Sequence, residues 1–281
     1  MPEFDTPQPV NVTLDFVAGA VRVIATERTT TTVEVRPADS SEQADVRAAG
    51  RTEVSYADGS LQIKSPKWRS LTGGSGSITL HIELPAGSHL QAAASLGDYT
   101  CEGRLGSCEL KTAVGSIRVA EAETARLKTD LGDISVEEVT GTAEASEVTG
   151  AGRIRVGRFA GPATVKNRNG DIAVGEAGGD LRTNASNGRT SVDVARAGVD
   201  AKATHGGIRI GEVARGSAVL KTGVGDIEAG IREGTAAWLD VRSRLGGVHN
   251  ALGAAEGPGE AEETVELHAR TGLGDIVVRR P

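Results

Sequence analysis

The stretch "KTGVGDIEA", Lys221–Ala229, returns as "KTDLGDISV" at Lys128–Val136, "KTAVGSIRV" at Lys111–Val119 and "RTGLGDIVV" at Arg270–Val278. Anchored on the glycine before the acid, the series runs from Gly97 to Gly274 at intervals of 18, 17, 20, 18, 18, 18, 19, 21 and 28 residues. Two places after that glycine stand Ile117, Ile134, Ile154, Ile172, Ile208 and Ile227; four places after it stand Val119, Val136, Val156, Val174 and Val192. The residue between them is small or polar, as in Arg118, Ser135 and Arg155. This in–out–in alternation of β-branched residues marks a half-buried strand. A second alternating run precedes each glycine, for example "ARLKT" at Ala125–Thr129 and "SAVLKT" at Ser217–Thr222.

Each unit of about 18 residues therefore holds two short strands with glycine at the bend, where a close backbone approach or a positive φ excludes a Cβ. Period-two patterning and the glycine density rule out a helical repeat. The predicted class is all-β: a β-solenoid of the parallel β-helix kind, its coils stacked about 4.8 Å apart with equivalent residues in ladders. The alternative is an antiparallel β-sandwich or meander, in which successive strands pair as hairpins.

Residues 1–92 are less regular and read as an N-terminal β cap; residues 93–281 form the repetitive solenoid. Within the cap, "SSEQADVRAAG" sets Gln43 three places after Ser40, the spacing of a capping box on one short helix. "GSITLHIELPAG" alternates cleanly through Ile78, Leu80, Ile82 and Leu84. The interval of 28 carries an acidic, turn-rich insertion at Gly253–Glu263, expected to be an exposed loop. The last residues, Arg279, Arg280 and Pro281, suit a closing edge.

Only 7 aromatic residues stand against 38 glycines, so the core must close with Val, Ile, Leu, Ala and Thr and should be narrow. A net charge of −7 argues against a general nucleic-acid binder. The N-terminus lacks the basic start, apolar segment and cleavage site of a secretory signal, and no apolar run is long enough to cross a bilayer. With two cysteines only, Cys101 and Cys108, the expectation is a cytoplasmic protein with reduced, packed thiols.

The opening "FDTPQPVNVTLDFVAGAVRVIA", the strand ending in "IELPAG" and the serial "KTGVGDI" steps resemble, over nearly the whole chain, a bacterial family of unknown function with repeated β-strands. Its members are often given a provisional adhesin label. The resemblance implies a β-solenoid-like fold and no established activity.

Four places before the glycine stand Lys111, Lys128, Lys166, Lys202, Lys221, Arg242 and Arg270, which in-register stacking turns into a basic ladder. Such a row could hold an anionic polymer such as an acidic polysaccharide, or keep an exposed strand soluble. Asp98, Asp133, Asp171, Asp226 and Asp275 directly follow the glycine, but one broken row cannot give calcium its six or more oxygens, so a turn role is expected. Thr112, Thr129, Thr222 and Thr271 form one interrupted row, too little for an ice-binding face. The five histidines share no metal-ligand spacing and no nucleophile elbow occurs, so no metal, cofactor or catalytic residue is assigned. Trp68 and Trp238 read as packing residues. The function expected is a non-enzymatic scaffold or interaction protein whose partner is a protein or an anionic polymer; the alternative is a carbohydrate-active β-helix enzyme working through ladder Lys and Asp.

Overall fold

The glycine that anchors each repeat stands at a corner where one rung of the stack presses on the next. At Gly188 φ is +125°, and a Cβ there would lie 2.1 Å from the Gly170 carbonyl oxygen; at Gly206 φ is +143° and the distance to the Gly188 oxygen is 1.9 Å. No side chain fits that gap, whatever the neighbours do. The row of threonines explains how the crowded carbonyls are satisfied. Thr222 Oγ1 donates to Gly206 O and Thr271 Oγ1 to Gly225 O, both at 2.8 Å, and Thr129 Oγ1 donates to Gly115 O at 2.9 Å. These threonines are buried, so their row lies inside the stack.

A computed structural model describes residues 2–65, 76–253 and 263–281, which fall into two compact units, Met1–Glu137 and Glu138–Pro281. Trp68 and nearly all of the acidic insertion lie outside the described residues.

The first unit carries β1 (Glu3–Asp5), β2 (Asn11–Asp15), β3 (Ala18–Thr26), β4 (Thr30–Pro37) and a helix, α1 (Gln43–Gly50). It continues with β5 (Glu53–Ala57), β6 (Ser60–Lys64), β7 (Ser77–Pro85), β8 (His89–Val114) and β9 (Ile117–Leu131). Strands β2 and β3 form one rung, with β8 parallel on one side and the rung of β6 and β7 parallel on the other. Chain order and stacking order thus differ, since residues 60–85 lie outside residues 11–26. Antiparallel strands then close that outer rung: β5 pairs with β6, β4 with β7, and the three-residue β1 with β4. Helix α1 lies against β4 and β7. Its N-cap is Glu42, not Ser40, and no side chain caps it, so the expected capping box does not form. Asp45 instead accepts from the Asp39 and Ser77 amides, tying the helix to the start of β7.

Strand β10 (Ile134–Val139) lies at the boundary. The second unit follows with β11 (Ser146–Gly150), β12 (Ile154–Phe159), β13 (Ala163–Asn169), β14 (Ile172–Ala177), β15 (Leu181–Asn187), β16 (Thr190–Ala195) and β17 (Val199–His205). It ends with β18 (Ile208–Val213), β19 (Gly216–Val224), β20 (Ile227–Ile231), β21 (Thr235–Leu245), β22 (Val248–Asn250), β23 (Glu263–Leu273) and β24 (Ile276–Arg279). Pairing is parallel and in register, Ile154 on Ile172, Ile172 on Thr190, Thr190 on Ile208 and Ile208 on Ile227, which makes the predicted column a buried ladder.

The last two rungs are laid down out of order. Strand β23 pairs with β19 on one side and β21 on the other, and β24 likewise lies between β20 and β22. The C-terminal rung is therefore internal, and among the described residues the closing edge is β21 with β22 rather than the chain end. The long interval before Gly274 coincides with this step, in which β23 re-enters the stack one rung inward of β21.

Candidate interaction surface

The lysines and arginines of the expected ladder point outward from the strand before the corner and stack within each unit as separate runs. In the first unit Lys111 sits on Lys128. In the second, the row reads Lys166, Asn184, Lys202, Lys221, Arg270 and Arg242, so its last four rungs are consecutive cations. Unit charges one rung apart in water repel by less than about 1 kcal/mol each.

Carboxylates answer most of them. Lys111 Nζ lies 2.5 Å from Glu109, Lys128 Nζ 4.0 Å from Asp130, Lys166 Nζ 2.8 Å from Glu147 and Lys202 Nζ 3.0 Å from Asp200. Asp240 serves two arginines, Arg270 at 3.0 Å and Arg242 at 3.1 Å. The hydrogen bond from Arg270, aided by the charge of Arg242, holds the Asp240 carboxyl below its ordinary value. The face is a mixed-charge row, with Lys221 between Lys202 and Arg270 as its most basic point.

A second row escaped the sequence reading. The residue immediately before the corner glycine is aliphatic and exposed in several rungs: Val114 on Leu131 in the first unit, and Val224, Leu273 and Leu245 stacked in the second. Leu245 is 63% exposed and Leu273 50%. The signal was present in the quoted repeats, as the V or L before each G. Strict alternation assigns those positions to the core, but the left-handed glycine bend turns them out.

The aspartates after the glycine act on the next rung. Asp98 Oδ1 accepts from Ser116 N and Asp171 Oδ1 from Arg189 N, both at 2.8 Å, and Asp275 Oδ1 accepts from Gly247 N at 2.7 Å. They brace corners. Among the described residues no three His, Cys, Asp or Glu side chains gather as a metal site. Cys101 and Cys108 are buried and free. A hydrogen bond to Cys101, with burial, raises the Cys108 thiol well above its ordinary value and leaves it a poor nucleophile. A cavity of about 300 Å³ beside α1 is lined by Ser40, Ser41, Gln43, Val46 and Arg47 and contains no ladder residue.

The family model described as Toastrack DUF4097 matches residues 11–278. No curated protein matches the chain. Among solved structures, a protein from Bacteroides fragilis provisionally called an adhesin is 14% identical, with 99% of this chain and 95% of that one covered and a TM-score of 0.35. Another so described, from Parabacteroides merdae, is 11% identical, with coverage of 81% and 94% and a TM-score of 0.46. One from Clostridium sporogenes, provisionally called a cell adhesion protein, is 12% identical, with coverage of 100% and 98% and a TM-score of 0.23.

Proposed function

Because the chain belongs to the Toastrack DUF4097 family, for which no activity is defined, we propose that it is a non-enzymatic β-repeat scaffold that binds a protein partner along the outer face of its rungs. The observation that carries this reading is the aliphatic row Val224, Leu273 and Leu245, exposed three residues along from a row of cations most of which are met by carboxylates. An apolar strip beside a mixed-charge rim has the make-up of a protein interface. A track for a polyanion needs unanswered positive charge, and most of these cations already have a carboxylate. Catalysis needs convergent acid and base groups in a concave site, whereas the ladder side chains radiate outward.

The test is retention of a partner from native extract on the immobilised full chain, compared with a Leu273→Glu variant. A protein retained by the parent chain and lost with Leu273→Glu supports the reading; equal retention by both chains contradicts it.

The four consecutive cations Lys202, Lys221, Arg270 and Arg242 favour one further reading, a short anionic-polymer site. Reversing Lys202, Lys221 and Arg270 to Glu should leave the fold intact and abolish retention on an acidic polysaccharide such as heparin. Unchanged salt-dependent binding would remove this second reading.

A further inference from the structure

Strand β21 is the outermost strand of the second unit, and among the described residues its far side pairs with nothing. The Leu245 carbonyl accepts from Gly274 N, which points the backbone groups of the odd-numbered residues inward to β23. By strand alternation, the amides and carbonyls of Trp238, Asp240, Arg242 and Arg244 point away from the stack. The core columns are open at the same place. Val265, Leu267 and Ala269 are buried, while their register neighbours Ala237, Leu239 and Val241 are only half-buried. A long bare edge with an open core beneath it is what native β-proteins ordinarily cover.

We propose that the occupant of this edge is a second copy of the same chain, joined antiparallel about a two-fold axis through Val241. The sequence of β21, "TAAWLDVRSRL", is self-complementary in that register. Asp240 falls opposite Arg242 of the second copy, and Arg242 opposite its Asp240. Trp238, 58% exposed, falls opposite Arg244, a cation over an indole face. Leu239 meets Ser243 on the inner side, and Val241 meets itself. The neighbouring registers are worse: centring on Asp240 stacks carboxylate on carboxylate, and centring on Arg242 stacks guanidinium on guanidinium, both repulsive when directly opposed. In the Val241 register the outward amides of the four even residues face carbonyls across the seam, so strand addition supplies affinity and the charges set the register. The isologous contact closes as a dimer instead of growing into a fibre.

The test uses the full chain. Sedimentation velocity over a range of concentrations should show a reversible monomer–dimer equilibrium. Arg242→Asp, at a residue 73% exposed on its side chain, should weaken dimerisation by at least about tenfold, and the exchange D240R/R242D should restore it. Under mild oxidation V241C should give a disulfide-linked dimer, since residue 241 opposes its own copy, whereas A237C, far from the axis, should stay monomeric on a non-reducing gel. The native thiols are buried and do not compete. A chain that sediments as a monomer at all concentrations, or a dimer that V241C fails to cross-link, overturns the proposal.

Discussion

The outermost rungs of the two units are built from the same kind of sequence and finished differently. In the first unit, β6 and β7 are sealed by antiparallel β5 and β4, and Leu61, Ile63, Ile78, Leu80, Ile82 and Leu84 are all buried. In the second, β21 carries Leu239 and Val241 at equivalent inward positions, yet nothing described covers them. The first unit switches strand direction, so among the described residues the edges left over are the three-residue β1 and the five-residue β5, both much shorter than β21. The second keeps its parallel direction and ends on an 11-residue strand. A parallel rung cannot close its own end; it takes antiparallel strands from the same chain or a surface from elsewhere.

The largest expected contrast comes from placing the same charge on each rung. Ile82→Asp buries a carboxylate between Val23 and Val33 and should cost on the order of 4 kcal/mol or more, enough to unfold the first unit. Val241→Asp, half-exposed, should cost about 1 kcal/mol in the monomer. Urea melts of the two variants check this, and equal losses would erase the distinction between the ends.

Next in size are two glycines. Gly188→Ala forces a Cβ to within 2.1 Å of a backbone oxygen in the stack and should cost on the order of 3 kcal/mol. Gly59→Ala, in the hairpin that covers the first unit, has φ +73° but open space around it, and should cost about 1 kcal/mol. Thermal midpoints of the two variants should separate accordingly.

The smallest effect is electrostatic. The hydrogen bond from Arg28 holds the Glu83 carboxyl below its ordinary value of 4.5, so its stabilisation is complete above that pH and is lost as pH falls through the folded value. Lowering the pH from 6 toward 3 should therefore lower the melting temperature slightly, and Glu83→Gln should flatten that part of the profile. An identical profile in the variant would show that the pair contributes nothing to folding.

The middle of the second unit could be read residue by residue, because its period is local: Ile172 predicts its neighbours Ile154 and Thr190 from spacing alone. The ends could not. Insertion of β23 between β19 and β21 is a non-local pairing whose one trace in the sequence is the interval of 28 residues before Gly274. The stacking of Lys202, Lys221 and Arg270 was legible from spacing, but the acids that answer such cations were not. Glu147 meets Lys166 from the next rung, and Asp240 reaches Arg270 from β21. Leu273 and Leu245 were hidden by the alternation rule itself, which the positive φ of Gly274 and Gly246 interrupts.

Residue-resolved amide hydrogen exchange on the full chain, at a low and a high protein concentration, tests the contrast between the two ends most directly. The β7 amides should be protected at both concentrations, while those of Trp238, Asp240, Arg242 and Arg244 should exchange freely when dilute and gain protection when concentrated. If β7 and these four amides exchange alike at both concentrations, the second unit has no bare edge for a second copy to complete.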